Sequence, residues 1–153
     1  MLKQECLDLV INGIKQGIAN GEAGNLTEDA IPAFNIEVPK NRDFGDFAIN
    51  VSCLCRFTKK SPLDTAKIIL KNIEPAEEND LTSKETDKFS ISLAGGYINF
   101  KIKKDALFSS LNAVIEEVVS KDKEYGKCNI GQGEKVLIEY VSAHLTGPFH
   151  ICH

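Results

Sequence analysis

The sequence predicts an α+β fold: a small antiparallel sheet covered by helices on one face. Three observations carry this reading. Apolar residues recur every three or four positions in several stretches, which is helical spacing. Two runs on either side of Gly95-Gly96 alternate apolar with polar residues, which is strand spacing. The composition, 42% hydrophobic and 26% charged over 153 residues, is that of a packed chain with one substantial core.

In chain order, residues 2–19 form an amphipathic helix. Leu2, Cys6, Val10, Ile14 and Ile18 recur every four residues, with Leu9 beside them. Gly13 and Gly17 each weaken it by about 1 kcal/mol relative to Ala unless they admit a close neighbour. Asn20-Gly21 is a stop signal, and Thr27 is placed to cap a short helix. Residues 35–38, between Pro32 and Pro39, read as a short edge strand. Residues 45–58 read as a second helix, because Phe44, Phe47, Ala48, Val51, Leu54 and Phe57 keep three-or-four spacing. A third helix starts at Ser61 as N-cap, with Pro62 first in the helix and Asp64 in the first turn. Leu63, Ala66, Ile69, Leu70 and Ile73 are its buried stripe, and Pro75 ends it.

The acidic, polar stretch 74–87 reads as an exposed loop. Phe89, Ile91 and Leu93, a turn over Gly95-Gly96, then Ile98, Phe100 and Ile102 make a hairpin. Alternation sends Tyr97, Asn99 and Lys101 together to the opposite face. A fourth helix over 104–119 turns Leu107, Leu111, Val114, Ile115 and Val118 inward. Residues 121–134 are a polar, Gly-bearing linker. Val136-Leu137-Ile138 is a continuous apolar run of the kind found in strands buried on both faces. The chain therefore divides into a first domain over 1–120, a linker over 121–134 and the opening of a second domain over 135–153.

Several function classes are excluded or disfavoured. No apolar run approaches the roughly 18–20 residues of a membrane span. The start, MLKQECLDLV, has acids where a signal peptide carries basic and then apolar residues. With five Cys, an odd count, reduced thiols in the cytoplasm are expected, not a disulfide framework. Cys53 and Cys55 are two apart in a predicted helix and share no face, and no C-x-x-C pair exists. No metal is expected, and Cys6, Cys53 and Cys55 read as buried thiols. The net charge of −4 argues against a general nucleic-acid coat protein, and no DNA partner is expected. Its distribution is uneven: residues 40–71 carry 7 basic and 3 acidic groups, and Lys101, Lys103 and Lys104 form a further cluster. Local patches of this kind set where a polyanion docks.

The segment 138–153, IEYVSAHLTGPFHICH, concentrates the chemistry. A strand runs into a loop holding Ser142, Thr146, Gly147 and Pro148, followed by His150 and His153. Three apart, these two histidines lie on one helix face, where backbone amides and the helix dipole favour an anion. This segment resembles the His-Ile-Gly-His signature region of class I aminoacyl-tRNA synthetases, specifically the arginyl family, which commonly reads E-Y-V-S-A-N-P-T-G-P-L-H-I-G-H. Glu139 to Ala143, Thr146 to Pro148, His150, Ile151 and His153 match. Upstream, Gly45-Asp46-Phe47-Ala48-Ile49-Asn50 resembles the family's Gly-Asp-Tyr-Ala-x-Asn region. Gly96-Tyr97-Ile98-Asn99-Phe100 resembles its Gly-Phe-Ile-Asn-Phe strand.

The resemblance implies that the first 120 or so residues are the family's N-terminal additional domain, which holds the outer corner of tRNA and reads a D-loop nucleotide. Tyr97 would stack on that base and Asn99 would bond its edge; the alternation itself adds Lys101, placed for the nucleotide's phosphate. This agrees with the alternation, which sets a ring, an amide and a cation in a row, a platform for one splayed nucleotide. It implies further that residues from 135 on begin a Rossmann-like catalytic domain, truncated here after its first strand. In a full-length enzyme Glu139, Ser142 and His144 would bind arginine, and His150 and His153 would contact the phosphates of ATP, used with Mg2+. The reaction would be activation of arginine and its transfer to tRNA(Arg). His144, Leu145 and Cys152 replace the family's Asn, Pro and Gly. A side chain at 152 stands where the Gly lets adenine lie against the backbone, so weakened ATP binding is expected. The chain as given is expected to bind tRNA without catalysing; the alternative is a degenerate or split paralogue acting as a non-catalytic RNA- or protein-binding module.

Overall fold

The computed structural model describes residues 2–73, 82–127, 131 and 133–138. They form two compact units, Met1–Glu116 and Glu117–His153. The first is α+β, with a five-stranded antiparallel sheet in the order β1-β2-β5-β4-β3. Its strands are β1 (Ile36–Glu37), β2 (Phe47–Asn50), β3 (Ser83–Glu85), β4 (Phe89–Ala94) and β5 (Tyr97–Ile102). Helix α1 (Leu2–Ala19) and helix α3 (Pro62–Lys71) pack on each other and on one face of this sheet, and the short α2 (Cys55–Thr58) leads into α3.

The core forms where the apolar stripes meet. Cys6, Val10 and Ile14 of α1 and Ala66, Ile69 and Leu70 of α3 bury against Ile49, Ile91, Ile98 and Phe100 of the sheet. Phe89 and Phe100 meet edge to face, with centroids 5.8 Å apart, a favoured aromatic geometry. Gly13 lets the two helices approach: a Cβ there would stand 2.8 Å from the Ile69 carbonyl oxygen. The start of α3 is as its sequence dictates, with Ser61 Oγ accepting from the Asp64 amide at 3.1 Å and Pro62 at the first position.

Five expectations are corrected. The stretch 45–58 is not one helix but β2, a 3-10 turn over Ser52–Leu54 and α2. Ala48 and Ile49 are both buried, so β2 shows no alternation and its apolar spacing imitates a helix. Within the stretch taken as an exposed loop, Ser83–Glu85 pairs with β4 as an edge strand, and Lys84 is buried. Its Nζ donates to the carbonyl oxygens of Leu70 (3.2 Å), Lys71 (3.4 Å) and Ile73 at the end of α3, and the Leu70 carbonyl also accepts from the Ile73 amide at 3.2 Å. The fourth helix exists as α4 (Lys104–Lys121), but only Ala106 is buried. Leu107, Leu111, Val114, Ile115 and Val118 are exposed, because periodicity specifies an apolar face and not what lies against it.

Finally, Val136, Leu137 and Ile138 carry no strand, and Leu137 is 99% exposed. A buried strand requires hydrogen-bonded neighbours, and none pairs with these residues among those described. The Rossmann-like strand is therefore not seen. The thiols also divide: Cys6 is buried, Cys55 is half-buried and Cys53 is exposed. No helix among the described residues is long and apolar enough to cross a membrane.

Candidate RNA-facing site on the open sheet face

Helices α1 and α3 occupy one face of the sheet, and the other face carries the candidate site. Ile98 and Phe100 are fully buried in the core, so their neighbours Tyr97, Asn99 and Lys101 project from the opposite side of β5. Tyr97 is 36% exposed and Lys101 is exposed. Lys101 enters no ion pair among the described residues, whereas Lys103 nearby is held 2.9 Å from Glu85. That contact holds the Glu85 carboxyl below the usual glutamate range.

Asn99 departs from the expectation of a freely projecting side chain. It is only 4% exposed, yet among the described residues its carboxamide makes no hydrogen bond. It does not count among sealed, unsatisfied polar groups either, so what solvent contact it keeps includes the amide.

Strand register explains how the amide is recessed without being paired. Asn99 lies directly opposite Ala48 on β2 and Ser92 on β4, and Tyr97 lies opposite Asn50 and Ala94. Only small side chains therefore flank Asn99 across the sheet. Asn50 turns its side chain to the chain that follows, its Oδ1 accepting from the Ser52 amide at 2.9 Å.

The far end of β5 is held by the residues before β2. The Asp46 amide donates to the Phe100 carbonyl at 2.7 Å, and Asp46 Oδ2 accepts from the Ile102 amide at 2.8 Å. This clamp brackets Lys101 from both sides. It requires Gly45: that residue has φ +95°, and a Cβ on it would stand 2.5 Å from the Phe100 oxygen. Sequence reasoning named the Gly45–Asn50 region through its family likeness, but reading it as helical hid its role beside β5. The signal that could have found it was the Pro32-to-Asn50 stretch of strand-like and turn-like residues flanking Gly45.

The other residues singled out by the sequence, Glu139, Ser142, His144, His150 and His153, lie outside the described residues. No cluster of three metal-ligating side chains occurs among those described.

Residues 8–102 match the model of the arginyl tRNA synthetase N terminal domain. The chain is 34% identical over 152 residues to an arginine–tRNA ligase of Ruminiclostridium cellulolyticum, covering 98% of this chain and 24% of that protein. It is 36% identical over 153 residues to that of Acetivibrio thermocellus, with the same coverage of 98% and 24%. For Citrifermentans bemidjiense it is 35% identical over 154 residues, covering 99% and 25%. The chain thus spans about a quarter of the length of the curated relatives it matches. With a family domain matched across both core helices and the strands that carry the open face, the chain belongs to the arginyl-tRNA synthetase family, whose N-terminal domain it carries.

Proposed function

We propose that this chain is the tRNA-binding part of an arginine–tRNA ligase, and that it grips tRNA(Arg) at its elbow through the open face of the sheet. Tyr97 stacks on an unstacked D-loop base, Asn99 bonds that base's edge, and Lys101 neutralises an adjacent phosphate. The observation that supports this best is Asn99, recessed and lacking a protein hydrogen-bond partner among the described residues, beside an exposed tyrosine ring. A carboxamide offers both a donor and an acceptor, which suits a base edge, and ring-on-base stacking tolerates any base. In the full-length ligase the substrates would be arginine and ATP, with Mg2+. Glu139, Ser142 and His144 would then lie at arginine, and His150 and His153 at the phosphates, by family likeness.

The test is titration of a tRNA(Arg) transcript with the 153-residue chain at two salt concentrations. Tyr97→Ala should cost about 1–3 kcal/mol of binding, the worth of one stacked base. Asn99→Ala should weaken binding similarly without changing the salt dependence. Lys101→Ala should lower the salt slope by about one. Unchanged affinity in both Tyr97→Ala and Asn99→Ala would refute the reading.

A second reading, a non-catalytic module, is favoured by His144, Leu145 and Cys152 at signature positions. Within a full-length protein, Cys152→Gly with His144→Asn should raise arginine-dependent ATP–pyrophosphate exchange if these residues impair adenylation. No change would remove the support for this reading.

A further inference from the structure

We propose that the outward apolar stripe of α4 is a self-association surface, taking a second copy of this chain in an antiparallel, twofold pairing centred on Leu111. This inference does not depend on the tRNA-binding reading above. The stripe consists of Leu107, Phe108, Leu111, Val114 and Ile115, each between 36% and 61% exposed. Ala106 is the one buried residue of α4. At 3.6 residues per turn it lies about 140° around the helix from Leu111. The helix thus turns a small residue inward and its large apolar residues to solvent, the reverse of an amphipathic helix seated on its own core.

An exposed face alone names no partner. Spacing, charge and area together select a second copy. The residues three and four before Leu111 are Phe108 and Leu107, and those three and four after it are Val114 and Ile115. The pattern therefore reads the same in both directions. A twofold antiparallel contact requires this, because it sets Leu107 level with the second copy's Ile115 and Phe108 level with its Val114. Asp105 and Glu116 stand about 120° and 140° around the helix from Leu111, so no carboxylate enters the stripe. Lys104 borders it at its start. Antiparallel pairing keeps the two Lys104 ammonium groups about 20 Å apart along the axis. Parallel pairing would bring them together, along with the two domains that precede them. Five half-exposed side chains on each copy cover about 1,000 Å² in total, the lower edge of a specific interface. The pairing is accordingly weak, with a Kd on the order of 100 µM.

The experiment is sedimentation equilibrium of the 153-residue chain, of Leu111→Lys and of Ile115→Lys, from about 5 to 500 µM to bracket that affinity. Thermal melting of each dilute protein accompanies it. The wild type should pass from the mass of one chain to that of two and stop there. Leu111→Lys sets two ammonium groups face to face at the centre, and lysine is as good a helix former as leucine. It should melt as the wild type does and pair at least about tenfold more weakly. Should it fail to fold, Ile115→Lys decides alone. In a mixture of ¹³C-labelled and unlabelled wild type, isotope-filtered NOEs should join Leu107 methyls to Ile115 methyls of the other copy. Leu107-to-Leu107 contacts in their place would overturn the antiparallel pairing. Folded variants that pair as tightly as the wild type, or growth past two chains, would overturn the twofold surface. A wild type monomeric throughout would overturn the choice of a second copy and leave the stripe to another surface, such as the remainder of a ligase.

Discussion

Replacing Lys84 by Met tests the most consequential feature that lay hidden in an acidic stretch. The ammonium bonds the carbonyls of Leu70 at 3.2 Å and Lys71 at 3.4 Å, and also that of Ile73. The contacts to Leu70 and Ile73 are buried. Met matches the stem in length and polarity of its methylenes, so packing is conserved while the donors disappear. The Leu70 carbonyl keeps the Ile73 amide at 3.2 Å, so the loss falls mainly on the buried Ile73 carbonyl, and a buried group left bare costs about 1–3 kcal/mol. Set against this is the relief of no longer burying an ammonium, which is smaller here because the wild-type charge is well hydrogen-bonded. The net loss should be about 1–2 kcal/mol, or about 4–8 °C in Tm for a domain of this size. Urea denaturation followed by circular dichroism should show the midpoint falling with an unchanged slope. A Met variant as stable as wild type, or more so, would mean that desolvation of the ammonium outweighs the capping of α3, and the reasoning would fail.

Three further outcomes follow from burial and charge. Phe100→Ala should cost about 3–5 kcal/mol, whereas Leu111→Ala, at a side chain 52% exposed, should stay within about 0.5 kcal/mol; comparison of their urea midpoints checks both. Alkylation near pH 8 should label exposed Cys53 in the native protein and leave Cys6 untouched until denaturant is added, because burial pushes the Cys6 thiol up to about 12; peptide mass spectrometry reads the order. Hydrogen bonds from Lys71 and Asn72 hold the Glu22 carboxyl below its ordinary value of 4.5. Its contribution is therefore fully present above 4.5 and is lost as pH falls through the lower folded-state value. Glu22→Gln should flatten that acid limb in urea titrations between about pH 5 and 3.

Elements with a single exposed face were legible in the sequence. Helix α1 shows its four-residue apolar repeat, α3 carries Ser61 and Pro62 at its start, and β4 and β5 alternate cleanly around Gly95-Gly96. Elements fixed by tertiary contact were not. β3 contributes one inward side chain, a lysine, and lysine advertises solvent unless carbonyls await it. Those carbonyls belong to the end of α3, about a dozen residues earlier, and no local pattern links them. The apolar face of α4 was legible as a face; its exposure was not, because burial depends on a partner surface that periodicity cannot supply.

The candidate site shows the same division at finer scale. Period-two alternation suffices to put Tyr97, Asn99 and Lys101 on one side of β5, since it needs only the strand's own residues. The depth at which each sits depends on the neighbouring strands, and β2 was read as helix. Its centre, Ala48 and Ile49, is buried on both faces, and a strand buried on both faces loses the alternation by which strands are recognised. Once β2 is a strand, each residue of the Gly45–Asn50 run acquires a separate physical reason. Gly45 permits the approach to Phe100, Asp46 clamps the backbone on both sides of Lys101, Ala48 borders Asn99, and Asn50 secures the chain leaving the sheet. Gly45→Ala is thus the substitution that separates shape from stacking. It should disturb the clamp and displace Lys101 while leaving Tyr97, at the opposite end of β5, in place. Binding of tRNA(Arg) by this variant should keep its sensitivity to removal of a single D-loop base and lose part of its salt dependence. Loss of base discrimination with an unchanged salt slope would contradict the assignment of the two ends of β5 to phosphate and base.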